Sequence, residues 1–364
     1  MKIGILTQPL GHNYGGVLQN WALQQVLIDL GHDPLTINLR GSSEITLKYK
    51  IKSKVALVRN KAVDLLLCQS PKKDLLHLRN SPDLHTFVNK NIRISEHIQA
   101  PLHSKSLDKY DLDAIIVGSD QVWRPSYSPC IKNFFLDFLS ENKKIIKIAY
   151  AASLGNSINE FSPKLKMECT ELLEQFNAVS VRELSSIEVC QKHFNVTPVC
   201  ALDPTMLLNE GVYRDLVNRA KIPAIAKSYG LCYFLDPTVQ KNNVFLEECQ
   251  KRSITPISLI PINPPVKSEL LAPTAYPQVE KWLKAMMNAD FIMTDSFHGT
   301  AFSIIFNKEF SVINNAARGA DRIASLLENL NIESTNSIYK SDDSIKSLIN
   351  KFVISSVEII KNEI

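Results

Sequence analysis

No apolar run in this 364-residue chain reaches the roughly 18 residues that a membrane-crossing helix needs, so no span is expected. Paired cysteines are also missing. The seven present (Cys68, Cys130, Cys169, Cys190, Cys200, Cys232, Cys249) are scattered, with no C-x-x-C spacing and no Cys/His cluster. That argues against a disulfide framework or a structural zinc site and points to reduced, mostly buried thiols of a cytoplasmic protein. Strong charge of one sign is absent as well. With 41 Lys and Arg against 37 Asp and Glu, the net charge is +4, and no basic stripe suggests nucleic acid. Small anionic substrates remain compatible, because a few placed arginines matter more to them than net charge. The opening MKIGILTQ reads as a strand and not as a charged-then-apolar leader. His85, His97 and His103 fall at spacings that match no metal site, and neither a metal nor a redox cofactor is expected.

Hydrophobic residues make up 45% of the chain, enough to bury a sizeable core, and the length suggests two domains. Lys2 to Thr7 reads as a strand. A glycine-bearing turn follows, then an apolar-periodic helix over Val17 to Ile28 that Gly31 is placed to stop, then a strand over Thr36 to Leu39. Strand, turn, helix and strand form a βαβ unit and imply a parallel sheet. Residues 41–110 interrupt this pattern with a polar, helix-prone and basic stretch, read as a helical insertion. Alternation resumes with strands at Ala114 to Val117, Ile145 to Ala152, Ala178 to Val181 and Val199 to Leu202. A second series starts after Lys227 and includes strands at Tyr229 to Leu235, Ile254 to Ile260, Phe291 to Thr294 and Phe310 to Ile313.

The expected class is therefore α/β, with two Rossmann-like doubly wound domains facing a cleft. Residues 1–210 form the first, 211–340 the second, and 341–364 a C-terminal helix. In such sheets ligands bind at the carboxyl ends of the strands.

Four motifs fall where a strand ends. Asn13, Tyr14, Gly15 and Gly16, with Gln19 in the helix behind, form a turn where backbone amides can approach an anion; the alternative is a tight turn without a ligand. Gly118-Ser119-Asp120-Gln121-Val122-Trp123 sets a carboxylate, an amide and an indole at a strand end, which suits sugar recognition with Asp120 as a base. Against that, Asp120 would cap a helix and Trp123 would pack inward. Arg182 ends a short strand, where its guanidinium could hold a phosphate or carboxylate or simply pair with Glu183. Thr294-Asp-Ser-Phe-His-Gly-Thr300 is the most informative. It places His298 at a helix N-terminus beside Ser296, Gly299 and Thr300, an anion pocket with a titratable group in it. Arg318 and Arg322 offer two further guanidiniums downstream, or a solvated helix start.

Taken in order, these motifs resemble the polysaccharide pyruvyl transferase family. The carriers are Asn13-Tyr-Gly-Gly-Val-Leu-Gln-Asn-Trp-Ala-Leu23, Val117-Gly-Ser-Asp-Gln-Val-Trp123, Val181-Arg-Glu183, Leu202-Asp-Pro-Thr205 and Asp295-Ser-Phe-His-Gly-Thr-Ala-Phe-Ser-Ile-Ile-Phe-Asn307. The resemblance implies an arrangement like that of B-type glycosyltransferases, phosphoenolpyruvate as donor, and a ketal-linked pyruvate on a sugar as product. It aligns His298 with the family's general acid. Some members carry a donor-binding arginine two residues earlier; here that position is Ser296, so Arg182, Arg318 or Arg322 would have to supply the charge. The expected donor side is thus Arg182, Ser296, Gly299, Thr300, Arg318 and Arg322. The acceptor side is Asn13, Tyr14, Gly15, Gln19, Ser119 and Trp123, with His298 and Asp120 catalytic.

Two rival readings share the architecture. A glycosyltransferase with a nucleotide-sugar donor would release nucleotide in place of phosphate, and a non-catalytic sugar- or anion-binding protein would bind the donor without consuming it. The lysines and arginine of residues 48–61 could also rest on an anionic membrane surface and so reach a lipid-linked acceptor; a solvated helical face is the plainer alternative.

Overall fold

The computed structural model describes residues 1–11, 13–41, 82–142, 144–155, 158–223, 225–260, 276–315, 321–334, 338–340 and 343–364. Strand β1 (Lys2–Leu6) is buried at every position after Lys2, as expected of a central strand covered on both faces. Helix α1 (Tyr14–Asp29) follows, its first turn capped by the Asn13 side chain, and Gly31 at φ +84° lets the chain leave it. Thirteen of the sixteen α1 residues are buried, including Gln19, Asn20 and Gln24. Such a helix cannot be amphipathic, so its polar side chains must find partners inside. Gln24 Nε2 donates to Thr36 Oγ1 at 2.8 Å, and that hydroxyl donates to Asn20 Oδ1 at 2.8 Å.

The first sheet runs β2-β1-β5-β6-β7-β8 and is parallel throughout, with β2 (Asp33–Thr36), β5 (Ala114–Val117), β6 (Ile146–Ala152), β7 (Ala178–Val181) and β8 (Val199–Cys200). Helices α3 (Pro163–Leu173) and α4 (Leu184–Phe194) connect its later strands. The second sheet, also parallel, runs β10-β9-β11-β12, with β9 (Tyr229–Tyr233), β10 (Thr255–Ser258), β11 (Phe291–Thr294) and β12 (Glu309–Val312). Its helices are α6 (Val239–Arg252), α7 (Val279–Asn288), α8 (Phe297–Ile305) and α9 (Asp321–Asn329). Two successive parallel α/β units are the architecture expected.

Three details differ from expectation. The 41–110 stretch is not purely helical: its described part holds α2 (Pro82–Asn91) and then β4 (Ile98–Gln99), which pairs parallel to β3 (Leu39–Arg40). The return is fixed by Gln24, whose Oε1 accepts from Arg93 N at 3.0 Å, and by Ser95, whose hydroxyl accepts from Asn38 N at 2.9 Å. Helix α5 (Glu210–Arg219) has no counterpart among the expected elements. Asn209 caps it, and its buried Tyr213, Leu216 and Val217 face the second domain, Tyr213 meeting Phe302 edge-on at 5.1 Å. Finally, the C-terminal helix is present as expected, α10 (Asp343–Lys361), but it returns to the first domain, where the Ser356 hydroxyl accepts from Leu202 N at 3.1 Å. The basic stretch 48–61 lies outside the described residues. Among the described residues, no helix is long and apolar enough to cross a membrane.

The two domains share one hydrophobic core, in which α1, α5, α7 and α8 meet. Tyr14 is its wedge: the ring stacks on Trp282 at 5.4 Å and the hydroxyl donates to Pro277 O at 2.5 Å. Burial pushes that phenol well above its ordinary range, so it stays a neutral donor.

Candidate active site

The carboxyl ends of β5, β6 and β7 turn toward the start of α8, and the residues between them hold most of the buried charge. Gly118 at φ +131° has no room for a side chain, since a Cβ would stand 2.1 Å from Tyr150 O. The next turn puts Asp120 at φ 72° and, on the neighbouring strand, Ala151 at φ 45°. Non-glycine residues in this region are uncommon and persist where the surroundings fix them. The fixing bonds are Ser119 Oγ to Ala151 O at 2.9 Å, Ala151 N to Ser180 Oγ at 2.9 Å and Ser153 N to Asp120 O at 3.0 Å.

Arg182 stands at the centre, one residue past β7, with its side chain only 1% exposed. Its Nη1 donates to Asp203 Oδ2 at 2.8 Å and its Nε to Glu183 Oε1 at 3.2 Å, while Nη2 lies 3.5 Å from Asp120 Oδ1. Phe297 covers one face of the guanidinium, 4.2 Å from ring centre to Cζ. Burial disfavours the charge, but Glu183, Asp203 and Asp120 outweigh it and hold Arg182 protonated. Asp203 is fully buried and also accepts from Ser119 Oγ at 3.2 Å and from Thr205 N and Oγ1 at 3.0 and 2.8 Å. Burial alone would raise its pKa; His298 first and then Arg182 reverse that and hold the carboxyl well below the usual range. Arg322, on α9 and also buried, is drawn down by burial and by the charge of Arg182, with Glu183, Asp120 and Tyr127 offsetting part of this.

His298 arrives from the other domain. Ser296 caps α8, accepting from Gly299 N at 3.3 Å, and so sets the imidazole in the first turn. Its Nε2 lies 3.6 Å from Asp203 Oδ2, and its ring covers Gly15, where a Cβ would stand 2.0 Å from Nδ1. Two buried donors here, His298 Nε2 and Arg182 Nη2, face carboxylates only at these 3.6 and 3.5 Å separations and make no shorter bond among the described residues. The positive end of α8 falls at the same place, although Gly299 N is taken by the Ser296 hydroxyl and Thr300 N by Ser296 O at 3.0 Å. Gathered at one place are therefore two guanidiniums, an imidazole, three carboxylates and a helix N-terminus.

The expected residues divide clearly. His298, Asp120, Arg182, Arg322, Ser119, Gly15 and Ser296 meet at this cluster. Thr300 and Gly299 are on the same turn, but Thr300 Oγ1 donates to Ser296 O at 3.1 Å, and glycine at 299 is required because Thr294 Oγ1 would lie 2.2 Å from a Cβ. Asn13 caps α1 through Gly16 N. Gln19 is fully buried, donating to Thr7 Oγ1 at 3.0 Å and accepting from Ser119 N at 3.0 Å, so it ties the β1 and β5 ends together. Tyr14 is the domain wedge. Trp123 is a correction: the indole is 0% exposed, stacks on Phe135 at 5.2 Å and donates to Phe134 O at 2.9 Å, which leaves no face for a sugar. Arg318 lies outside the described residues.

Sequence reasoning left Asp203 without a role. Leu202-Asp-Pro-Thr205 carries a cap signature, and the carboxylate does cap the short turn Pro204–Met206, which conceals its second use toward Arg182 and His298. Asp295 was also missed. It anchors the second domain, accepting from Lys241 Nζ at 2.6 Å, Leu235 N at 2.6 Å and Asn315 Nδ2 at 3.0 Å. Among the described residues, no group of three or more His, Cys, Asp or Glu side chains is gathered so as to hold a metal ion. A surface depression of about 360 Å³ lined by Lys2, Asp33, Arg93 and Lys109 lies at the amino ends of β1 and β2, the opposite edge from this cluster.

Similarity to known proteins agrees with this architecture. UDP-GlcNAc 2-epimerase from Neisseria meningitidis, solved bound to UDP-GlcNAc, aligns over 100% of this chain and 99% of its own at TM-score 0.51 and 10% identity. A putative UDP-N-acetylglucosamine 2-epimerase from Listeria monocytogenes aligns over 100% and 91% at TM-score 0.53 and 7% identity. At such identities the likeness is one of fold, the two-domain arrangement of B-type glycosyltransferases. No curated protein matches the sequence significantly. The model of the polysaccharide pyruvyl transferase family matches residues 13–316, which include every part of the cluster except Arg322; the chain belongs to that family and is a transferase.

Proposed function

We propose that the protein transfers a pyruvyl group from phosphoenolpyruvate to two hydroxyls of one sugar in a surface polysaccharide or its lipid-linked precursor, releasing phosphate. What carries this reading is one buried charged cluster in which two donors, His298 Nε2 and Arg182 Nη2, meet protein carboxylates only at 3.6 and 3.5 Å, longer than a hydrogen bond. Donors held at such distances, beside one helix N-terminus, can still make short hydrogen bonds to an anionic ligand. Phosphoenolpyruvate offers both phosphate and carboxylate. Arg182 is anchored by Glu183 and Asp203, and Arg322 together with the α8 amides adds the remaining positive potential.

The reaction follows from these groups. His298 delivers a proton to the methylene carbon of the donor, and positive charge develops at the adjacent carbon. A sugar hydroxyl attacks that carbon and gives its proton to Asp120. The C–O bond to phosphate breaks, and a second hydroxyl closes the ketal ring, its proton leaving with phosphate. Asp203 is an anion throughout, so it cannot be the acid; it aligns the imidazole and balances its charge. Imidazole is the side chain suited to give up a proton near neutrality.

The test is to run the reaction in D2O with p-nitrophenyl hexosides and lipid-linked oligosaccharides. The expected product carries the mass of pyruvic acid less one water and a methyl group holding one deuterium. Nucleotide release with a nucleotide sugar, or donor binding with no product from any acceptor, would overturn the assignment.

A further inference from the structure

The loss of Trp123 to the core leaves the sugar without its expected stacking surface, yet the same loop supplies another. Residues 120–128 leave the carboxyl end of β5 beginning with Asp120, and Tyr127 near their far end is 45% exposed. The other exposed large apolar side chains among the described residues carry no ring. One face of the Tyr127 ring is covered by the Arg124 guanidinium, 4.1 Å from ring centre to Cζ. That guanidinium is itself held, with Nε donating to Glu160 Oε1 at 3.1 Å and Nη1 to Gln121 Oε1 at 3.2 Å.

The rest of the loop is equally fixed. Glu160 Oε2 accepts from Ser126 N at 2.8 Å, Ser128 Oγ donates to Val122 O at 2.7 Å, and Gln8 Nε2 reaches both Gln121 O and Ser128 Oγ at 2.9 and 3.0 Å. Burial works against the Glu160 charge, but the Ser126 and Arg124 bonds overcome it and hold the carboxyl below its ordinary range. Tyr127 and Asp120 also belong to one pinned loop: Arg124, which covers the ring, is bonded to Gln121, the residue next to Asp120.

We propose that Tyr127, backed by Arg124, is a stacking platform for the acceptor sugar, placing its hydroxyls toward Asp120. The chemistry fits. The C–H face of a pyranose is apolar and flat enough to lie on an aromatic ring, while the phenol hydroxyl remains free to bond a sugar oxygen. A ring locked from behind loses little entropy when the sugar lands on it. A lone exposed tyrosine paired with a surface arginine would need neither the pinning of its loop nor a place on the loop that begins with Asp120. This inference rests on the pyruvyl transfer proposed above.

The experiment measures steady-state transfer from phosphoenolpyruvate to a panel of p-nitrophenyl hexosides bearing a 4,6-diol or a cis-3,4-diol, with wild type, Tyr127→Ala, Tyr127→Phe and Tyr127→Trp. Tyr127→Ala is expected to raise the acceptor KM about tenfold or more, with kcat at saturating acceptor and the donor KM holding within about twofold. Tyr127→Phe and Tyr127→Trp are expected to recover most of the loss, and thermal unfolding is expected to stay unchanged in all three. An unchanged acceptor KM in Tyr127→Ala overturns the platform while leaving pyruvyl transfer intact. So does a loss that the aromatic variants fail to restore, or one shared equally by the donor KM. Absence of transfer by wild type to every acceptor removes the transfer reading, and the platform with it.

Discussion

A Cβ on Gly15 would stand 2.0 Å from His298 Nδ1, so alanine at this position and the imidazole in its observed place cannot coexist. Displacing a catalytic group by an ångström typically costs about a hundredfold in rate. Gly15→Ala is therefore expected to lose about a hundredfold in turnover while its circular dichroism matches wild type; full activity would show that the ring does not need this site. Asp203 makes a different prediction, through pH. Its folded pKa lies below the unfolded value, so its stabilising effect is complete above about pH 4 and is lost as pH falls further. Urea midpoints measured from pH 6 to pH 3 are expected to fall in wild type and to fall less in Asp203→Asn, which is weaker at neutral pH because Arg182 and His298 lose their charged partner. Arg182→Met would leave Glu183 and Asp203 buried and uncompensated, at a cost of about 3–5 kcal/mol in the same assay. At this scale sequence was a partial guide. His298 stood out because a polar turn followed an apolar strand. Trp123 misled because an indole near a polar motif looks the same in sequence whether its ring faces a ligand or Phe135. Asp203 stayed hidden because its partner Arg182 is brought to it only by the fold.

Among the elements, α1 does more than connect two strands. It presents Asn13 as a cap, Gly15 to His298, Gln19 to the β5 turn and Tyr14 to the second domain, all from its first two turns. Removing the Tyr14 hydroxyl, as in Tyr14→Phe, is expected to cost about 1 kcal/mol, while Tyr14→Ala is expected to cost about 3–5 kcal/mol because the stack on Trp282 goes with it. Chemical denaturation would measure both, and equal losses would contradict the wedge. Strands and helices with clean periodicity were legible to within a few residues. Helix α5 was not, although Asn209 and the spacing of Tyr213, Leu216 and Val217 mark it in retrospect. Strands β3 and β4 are two residues each, too short to leave a pattern, and they owe their pairing to Gln24 and Ser95.

For the whole molecule, alternating strands and helices conveyed two parallel sheets but not how they close on each other. Closure depends on contacts between residues far apart in sequence: Tyr14 with Trp282, Arg182 with Phe297, Asp203 with His298, and α10 returning through Ser356. Each domain thus holds half of the charged cluster, with the carboxylates and Arg182 in the first and the imidazole and helix N-terminus in the second. The most direct test is phosphate release from phosphoenolpyruvate, measured with and without a saccharide acceptor, for wild type and His298→Ala. Release that requires acceptor and drops at least about a hundredfold in a folded His298→Ala is the predicted result. Near-normal release in the variant would contradict the role given to His298.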